Sequence, residues 1–200
     1  DFRVFPRRVI EDNAMACFMI NDEQLLEKTL QFFDGKVDYI YIDVELKQKI
    51  NLFEIAQQTV QKSKLIAAKP NDNTLESVDL LIRNQYNDNL LGKKILVIGT
   101  GNLAGKIAIR LAERQANVYV KGRSLLKQKE FVNAVNLLLP KFANPIKSFE
   151  TVLKENTLDI IVSAISATFE EEDILYPVIN SKTFIIDVGI NNFSNNFIQR

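Results

Sequence analysis

Apolar runs in the second half of the chain alternate with segments that repeat apolar residues at helical spacing. The apolar runs predict five strands, at Lys94–Ile98, Val118–Val120, Ile146–Phe149, Asp159–Ala164 and Thr183–Val188. The segments between them predict three helices, near Leu103–Arg114, Leu126–Leu139 and Glu171–Ile179. Because most of these strands are continuously apolar, both faces of their sheet should be covered by other elements. The pattern predicts an α/β fold with a doubly wound parallel sheet.

The first 70 residues show the same alternation on a smaller scale. Strands are predicted at Ala14–Ile20, which we interpret as buried, and at Val37–Val44 and Lys64–Ala68. Helices are predicted at Asp22–Phe33 and Asn51–Lys62. This β-α-β-α-β order is the unit of a parallel sheet, so we expect a smaller α/β lobe before the main one.

A polar stretch, Pro70–Asn73, separates the two halves of the chain. The apolar residues that follow at helical spacing are Leu75, Val78, Leu81 and Ile82. They predict a helix over Thr74–Asn87, with Asn73 as its N-cap and Glu76 as the returning carboxylate. We interpret this helix as the connector between two lobes.

Composition and charge exclude several classes of function. Twenty-five basic residues balance twenty-five acidic ones, so no bulk charge attracts the chain to nucleic acid or to an anionic membrane. No apolar run is long enough for a membrane span, and the single cysteine, Cys17, fits a reducing compartment, so we expect a cytoplasmic protein. The absence of histidine excludes Ser-His and Cys-His relays and histidine-ligated metal sites, and no metal is predicted.

The turn after the strand Lys94–Ile98 carries the clearest chemistry. It reads Gly99, Thr100, Gly101, Asn102, Leu103, Ala104 and Gly105, and it opens a helix directly. Backbone N–H groups and the helix dipole at such a turn stabilise a pyrophosphate. Gly99 allows the tight turn and Gly101 allows the close approach of the phosphates. This context predicts a dinucleotide-binding Rossmann domain; the alternative is a structural turn that binds no nucleotide.

The end of the second strand indicates which dinucleotide is bound. An NAD site has an acidic residue there, which accepts from the ribose 2′-OH, and this chain has none. Arg123 could instead clamp a 2′-phosphate and Ser124 could donate to it, whereas Lys121 and Lys127 either add charge or are solvated. We therefore predict NADP rather than NAD as the cofactor.

Two further turns should line the nicotinamide end of the cofactor, because ligands of doubly wound sheets bind at the carboxyl ends of the strands. Ala164, Ile165 and Ser166 follow the fourth strand of the second half, and Gly189 follows the fifth. Small residues there would let backbone groups approach the ligand. For Ser166, an ordinary loop hydroxyl is an equal alternative.

Several of these segments resemble a known family. Residues 91–101 (LGKKILVIGTG) and 118–124 (VYVKGRS) look like the NADP domain shared by shikimate dehydrogenases and the methylene-tetrahydrofolate or methylene-tetrahydromethanopterin dehydrogenases. Residues 159–164 (DIIVSA) resemble the fourth-strand motif of that group, and residues 186–191 (IDVGIN) are similar to the closing motif of methylene-tetrahydrofolate dehydrogenase/cyclohydrolases. The resemblance implies a substrate lobe before the cofactor lobe, a cleft between them and NADP-dependent hydride transfer.

The substrate lobe departs from these families, so a known substrate does not carry over. No tyrosine has a lysine four residues later, as the bifunctional folate enzymes require. The catalytic lysine and aspartate motifs of shikimate dehydrogenases are matched only loosely, by Val44–Lys47 and Asp72–Glu76. The candidate acid–base residues at the edge of the first sheet or in the connector are Lys47, Lys49, Lys69 and Asp72. Lys69 and Asp72 rank first because they lie where the chain leaves the first sheet; ordinary solvated charges are the alternative.

These observations divide the chain into a substrate-side lobe (residues 1–73), a connector (74–92), an NADP-binding Rossmann domain (93–191) and a tail (192–200). We expect an NADP-dependent oxidoreductase that transfers a hydride between the nicotinamide and a small metabolite. The alternative is a non-catalytic NAD(P)-binding regulatory or scaffold module, or one lobe of a larger enzyme. A small-molecule substrate is the expected partner, nucleic acid and membrane are not, and the resemblance is compatible with a homodimer.

Overall fold

A computed structural model describes residues 2–45, 49–151 and 157–199 and divides the chain into two compact units, Asp1–Pro70 and Asn71–Arg200. The elements of the first unit are β1 (Phe2–Ile10), β2 (Asn13–Ile20), α1 (Glu23–Phe33), β3 (Tyr39–Asp43), α2 (Leu52–Thr59) and β4 (Lys64–Ala68). β3 and β4 pair in parallel, and α1 and α2 pack against this pair through an apolar core around Leu26, Leu30, Ile42 and Ala56. The predicted smaller α/β lobe is thus confirmed.

The interpretation of Ala14–Ile20 as a buried strand of a parallel sheet is wrong. The run lies in β2, which pairs antiparallel with β1, a strand that the sequence pattern did not predict. The chain reverses after β1 through Glu11, whose φ is +52°. Residues 13–17 are exposed and only Ile20 is buried. The apolar pattern does not reveal that β2 pairs only with β1, in a two-stranded sheet in which most of its residues are exposed.

The second unit contains a five-stranded parallel sheet. Its elements are α3 (Pro70–Gln85), β5 (Lys94–Ile98), α4 (Asn102–Glu113), β6 (Asn117–Lys121), α5 (Leu125–Asn136), β7 (Lys147–Ser148), β8 (Ile160–Ser163), β9 (Phe184–Asp187) and α6 (Asn195–Ile198). The strand order is β7-β6-β5-β8-β9, and every neighbouring pair is parallel. This arrangement confirms the predicted doubly wound sheet.

The two faces of this sheet are covered by different elements. α3, α4 and α5 pack on one face, against Ile95, Val97 and Val162 among others. Two short 3-10 turns, Glu172–Ile174 and Tyr176–Val178, pack on the other face together with α6. The strand order reverses between β5 and β8, so their carboxyl ends form the switch point at which such sheets bind ligands.

Two predicted helices differ from the structure in informative ways. The helix expected at Glu171–Ile179 is instead the pair of 3-10 turns, because Pro177 lacks the N–H that an α-helix interior needs. The connector helix starts at Pro70 rather than Thr74, since proline is pre-organised for a first helical position, and Asn73 lies inside the helix. No helix within the described residues is long and apolar enough to cross a membrane.

The buried face of α3 also differs from the prediction at one position. Leu81 is exposed, whereas Asp79 is buried. The reason is an ion pair: the Asp79 carboxylate accepts two hydrogen bonds from Arg114, the C-cap residue of α4, each 2.6 Å long. α3 therefore turns a carboxylate, rather than Leu81, toward the core of the second unit.

Candidate functional site

The turn after β5 requires glycine at its first position. Gly99 has φ of +129°, a conformation that other residues rarely adopt. A Cβ at this position would lie 2.9 Å from the backbone oxygen of Ala164, at the end of β8. The Gly99 N–H donates to the Lys121 carbonyl at 2.8 Å, and the Ala164 N–H donates to the Ile98 carbonyl at 2.9 Å. The glycine turn is thus held directly between the carboxyl ends of β6 and β8.

The second glycine of the turn leaves an open space at the start of α4. Gly101 is the N-cap residue of α4, and a Cβ built on it meets no atom within 4 Å. Its carbonyl accepts the first bond of the helix, from the Gly105 N–H at 3.0 Å. The N–H groups of Asn102, Leu103 and Ala104 precede that bond, and a glycine N-cap supplies no side chain to satisfy them. A pyrophosphate fits this cradle, because it needs both uncapped amides and the absence of a Cβ.

The turn after β6 is packed against the glycine turn. A Cβ on Gly122 would lie 2.7 Å from Cγ2 of Thr100, so the two turns touch where Gly122 has no side chain. Arg123, Ser124 and Lys127 follow and are all exposed. Ser124 is the N-cap residue of α5 and its side chain makes no capping hydrogen bond. Of the two lysines left open by the sequence, Lys127 is exposed, whereas the Lys121 ammonium pairs with the Glu171 carboxylate at 2.8 Å.

The turns after β8 and β9 are joined by a buried amide. The Ser163 hydroxyl donates to Oδ1 of Asn192 at 2.8 Å, and Nδ2 of Asn192 donates to the carbonyls of Ile165 and Ala167 at 3.1 and 2.9 Å. Asn192 is only 1% exposed. A Cβ on Gly189 would lie 2.0 Å from the Ile165 carbonyl oxygen, so glycine is required where the two turns meet. Ala164, Ile165 and Gly189 therefore lie together, and Ser166 is exposed beside them.

The turn after β9 holds two residues in the left-handed region. Ile190 has φ of +67° and Asn191 has φ of +58°. For a β-branched residue such as isoleucine this conformation is strained. The Asp187 carboxylate fixes the turn by accepting from the N–H groups of Gly189 and Asn192, at 3.1 and 2.9 Å. The Ile190 side chain is 80% exposed as a result.

The predicted acid–base residues that the structure describes are either exposed or held in an ion pair. Asp72 lies in the first turn of α3, where its carboxylate pairs with the Lys106 ammonium of α4. Lys69 immediately precedes α3 and is exposed, as is Lys49. Lys47 lies outside the described residues. The structure thus gives Asp72 a charged partner that the sequence did not indicate.

Two buried amides of this site were missed by the sequence analysis, Gln128 and Asn192. Each is polar yet almost fully buried, at 0% and 1% exposure. Their partners lie far along the chain, at Ser148 and Ser163 respectively. Neither residue belongs to a sequence motif, so the one available signal was a polar side chain on an otherwise apolar face of α5, at Gln128.

The sequence profile described as Shikimate / quinate 5-dehydrogenase matches residues 80–191, which is more than half of the chain. The chain belongs to this family. Its second unit is therefore an NAD(P)-binding Rossmann domain of the dehydrogenase superfamily. The match contains the glycine turn, the turn after β6 and the turns after β8 and β9.

Solved structures show the same fold at low sequence identity. L-tryptophan dehydrogenase from Nostoc punctiforme is 17% identical, with a TM-score of 0.52 over 92% of this chain and 53% of that one. The dipicolinate synthase A chain from Bacillus subtilis is 20% identical, with a TM-score of 0.50 over 89% and 57%. Ornithine carbamoyltransferase from Pyrococcus furiosus is 12% identical, with a TM-score of 0.50 over 86% and 62%.

These three likenesses concern the fold alone, since one of the three is named as a transferase rather than a dehydrogenase. The chain spans between 53% and 62% of the length of these structures. Among curated protein sequences none matches this chain.

Proposed function

We propose that this protein is an NADP-dependent oxidoreductase that transfers a hydride between the nicotinamide and a small metabolite. The observation that carries the proposal is the open space at Gly101, at the N-terminus of α4 and beside the switch point of the sheet. The missing cap and the missing Cβ together leave room for an anion at the start of this helix. The pyrophosphate would accept from the N–H groups of Asn102, Leu103 and Ala104.

The preference for NADP is supported by the turn after β6. Arg123 and Ser124 are exposed there, and no ion pair engages the Arg123 guanidinium among the described residues. A guanidinium binds a phosphate through two parallel hydrogen bonds, and Lys127 adds a second exposed positive charge. An acidic residue, which would accept from an unmodified ribose, is absent from the positions that follow β6.

The nicotinamide end would lie against Ala164, Ile165, Ser166 and Gly189. When bound, the nicotinamide supplies or accepts the hydride, and the protein supplies orientation and electrostatics. The proposed proton-transfer residues remain Lys69 and Asp72. The Lys106 ammonium beside Asp72 keeps a second ionisable group close to that carboxylate. The first unit, which contains two small sheets, is the proposed substrate-side lobe of a cytoplasmic enzyme that forms a homodimer.

A second candidate is a non-catalytic NAD(P)-binding module, or one lobe of a larger enzyme. The observation that favours it is that this chain spans only part of the matched structures, for example 53% of L-tryptophan dehydrogenase. Both candidates predict cofactor binding, and only the first predicts turnover. Reduction of NADP in the presence of shikimate or quinate, for which the matched family is named, would favour the first candidate.

The test of the cofactor site is a fluorescence titration with NADPH and, separately, with NADH. We expect tighter binding of NADPH. Arg123→Ala should weaken NADPH binding by roughly tenfold or more and leave NADH nearly unchanged, because it removes a charge-assisted contact to the 2′-phosphate alone. Lys129→Ala, which removes an exposed cation of α5, is the matched control and should change neither affinity.

A substitution at the open space tests the pyrophosphate position. Gly101→Ala should weaken both cofactors, since the added Cβ occupies the space that the phosphates need, while it meets no protein atom within 4 Å. Equal binding of NADPH and NADH by the unaltered protein would refute the NADP preference. Unchanged affinities in Gly101→Ala would refute the assignment of this turn as the pyrophosphate site.

A further inference from the structure

A buried glutamine connects three segments behind the turn that follows β6. Gln128 lies in the first half of α5 and has no exposed surface. Its Oε1 accepts a hydrogen bond from the Gly122 N–H at 2.8 Å, and its Nε2 donates to the Ser148 hydroxyl of β7. One side chain thus links the end of β6, the start of α5 and the edge strand of the sheet.

The contacts of Gln128 bear directly on the position of the turn. A Cβ on Gly122 would lie 3.3 Å from Cβ of Gln128 and 2.7 Å from Cγ2 of Thr100. Gly122 is therefore packed against both the glutamine and the glycine turn, and its N–H donates to the glutamine. Arg123 and Ser124 follow immediately along the chain, so their backbone positions depend on this packing.

Structural filling alone does not account for a glutamine here. A buried amide is unfavourable unless its polar atoms are hydrogen-bonded, and an apolar side chain of the same size would fill the space without that requirement. The amide has two bonds in this environment, and one of them goes to the backbone of the turn itself. The side chain thus fixes a peptide group rather than only a volume.

The same helix provides an internal comparison. Asn136, further along α5, also bonds to the segment around β7: its Nδ2 donates to the Ile146 carbonyl at 2.9 Å, and its Oδ1 accepts from the Ile146 N–H at 2.8 Å. Gln128 and Asn136 both anchor α5 to the edge of the sheet. Only Gln128 also reaches Gly122.

We propose that Gln128 is a positioning residue for cofactor discrimination: it holds the turn after β6 so that Arg123 and Ser124 meet the 2′-phosphate of NADP. This inference rests on the proposed NADP site and adds a residue that does not touch the cofactor. It acts through the Gly122 peptide. Loss of Gln128 should therefore affect NADPH, which carries the 2′-phosphate, and not NADH.

The test compares two substitutions that remove hydrogen bonds while keeping side-chain size. Gln128→Met should weaken NADPH binding by roughly threefold to tenfold, the range of one or two neutral hydrogen bonds, and change NADH binding by less than about twofold. Asn136→Leu is the matched control and should leave the ratio of the two affinities unchanged. A similar loss for both cofactors in Gln128→Met, or a change of the ratio in Asn136→Leu, would overturn the proposal.

A double-mutant cycle with Arg123→Ala tests whether Gln128 acts through the arginine. In that background Gln128→Met should cause a smaller further loss of NADPH affinity than in the unaltered protein, since one of the two contacts that it positions is already absent. Losses that multiply would overturn the proposal. If the unaltered protein binds neither cofactor, the proposed function fails and this inference fails with it. If the unaltered protein binds NADPH but Gln128→Met leaves the ratio of NADPH to NADH affinity unchanged, only this inference is refuted.

A second variant covers the case in which Gln128→Met does not fold, which thermal unfolding would reveal. Ser148→Ala removes the partner of Nε2 and leaves the bond from Gly122 to Oε1 in place. It should shift the NADPH-to-NADH ratio in the same direction by a smaller factor, about twofold to threefold. An unchanged ratio in a folded Ser148→Ala protein would count against the proposal.

Discussion

Asparagine in place of Asp79 should destabilise the second unit by about 2–3 kcal/mol, far more than a comparable change at the surface of the same helix. The Asp79 side chain is 2% exposed, and the Arg114 guanidinium donates to both of its oxygens at 2.6 Å. Arg110 lies 3.5 Å away and adds a further attraction. The substitution keeps the size of the side chain and one acceptor oxygen, but it removes the charge and one acceptor.

The magnitude follows from these contacts. Two hydrogen bonds between charged groups contribute about 1.5–3 kcal/mol each, which sets an upper bound of roughly 6 kcal/mol. The arginines are 29% and 30% exposed, so they regain water when the carboxylate is removed, and this reduces the loss. The retained oxygen of asparagine reduces it further, to about 2–3 kcal/mol.

The matched control is Glu76→Gln, on the same helix. Glu76 pairs with Arg110 at 2.9 Å, but its side chain is 62% exposed. An exposed pair of this kind contributes about 0.2–1 kcal/mol. The assay is urea denaturation followed by far-ultraviolet circular dichroism, with the m-values compared to ensure that the same unit unfolds. A loss for Asp79→Asn as small as that for Glu76→Gln would refute the reasoning that burial determines the strength of this ion pair.

Two further predictions use other parts of the chain. Gly99→Ala should lower the free energy of unfolding by about 2 kcal/mol or more, because residue 99 has a positive φ and its new Cβ would contact the Ala164 carbonyl. Gly101→Ala should change the free energy of unfolding by at most about 1 kcal/mol. Urea denaturation in which the two variants lose the same stability would contradict this prediction. The pKa of Asp34 lies below its usual value because the N–H of Ser63, above all, donates to the carboxylate. The ionised carboxylate therefore stabilises the fold above the unfolded pKa, and this stabilisation is lost as the pH falls through the folded pKa. The difference in Tm between the unaltered protein and Asp34→Asn should accordingly be larger at about pH 7 than at about pH 3.

The sequence predicted best those elements in which local pattern and burial agree. β5 has the bounds expected from its apolar run, because four of its five residues are buried in the centre of the sheet. β2 has a similarly apolar run and is mostly exposed, since an apolar pattern carries no information about which segment covers it. Long-range pairing is what the pattern lacks, as the unpredicted strand β1 shows.

The residues of the candidate site also differ in how far local sequence could predict them. The glycines at 99 and 101 could be predicted because the turn that they form depends on the local backbone, whereas Gly189 is required by the Ile165 carbonyl of another turn. Gln128 could not be predicted, since its role depends on a hydrogen bond from α5 to Ser148 of β7. The ion pair between Asp72 and Lys106 joins two helices, so the local spacing of residues could not predict it either.

The strained turn at Ile190 has an evolutionary consequence. Glycine at this position would relieve the left-handed conformation and remove an apolar side chain that is 80% exposed, so selection for stability alone would favour replacing the isoleucine. The hydrogen bonds from the Gly189 and Asn192 N–H groups to the Asp187 carboxylate do not involve the side chain of residue 190. A library selected for heat resistance alone should therefore drift from isoleucine to glycine at residue 190.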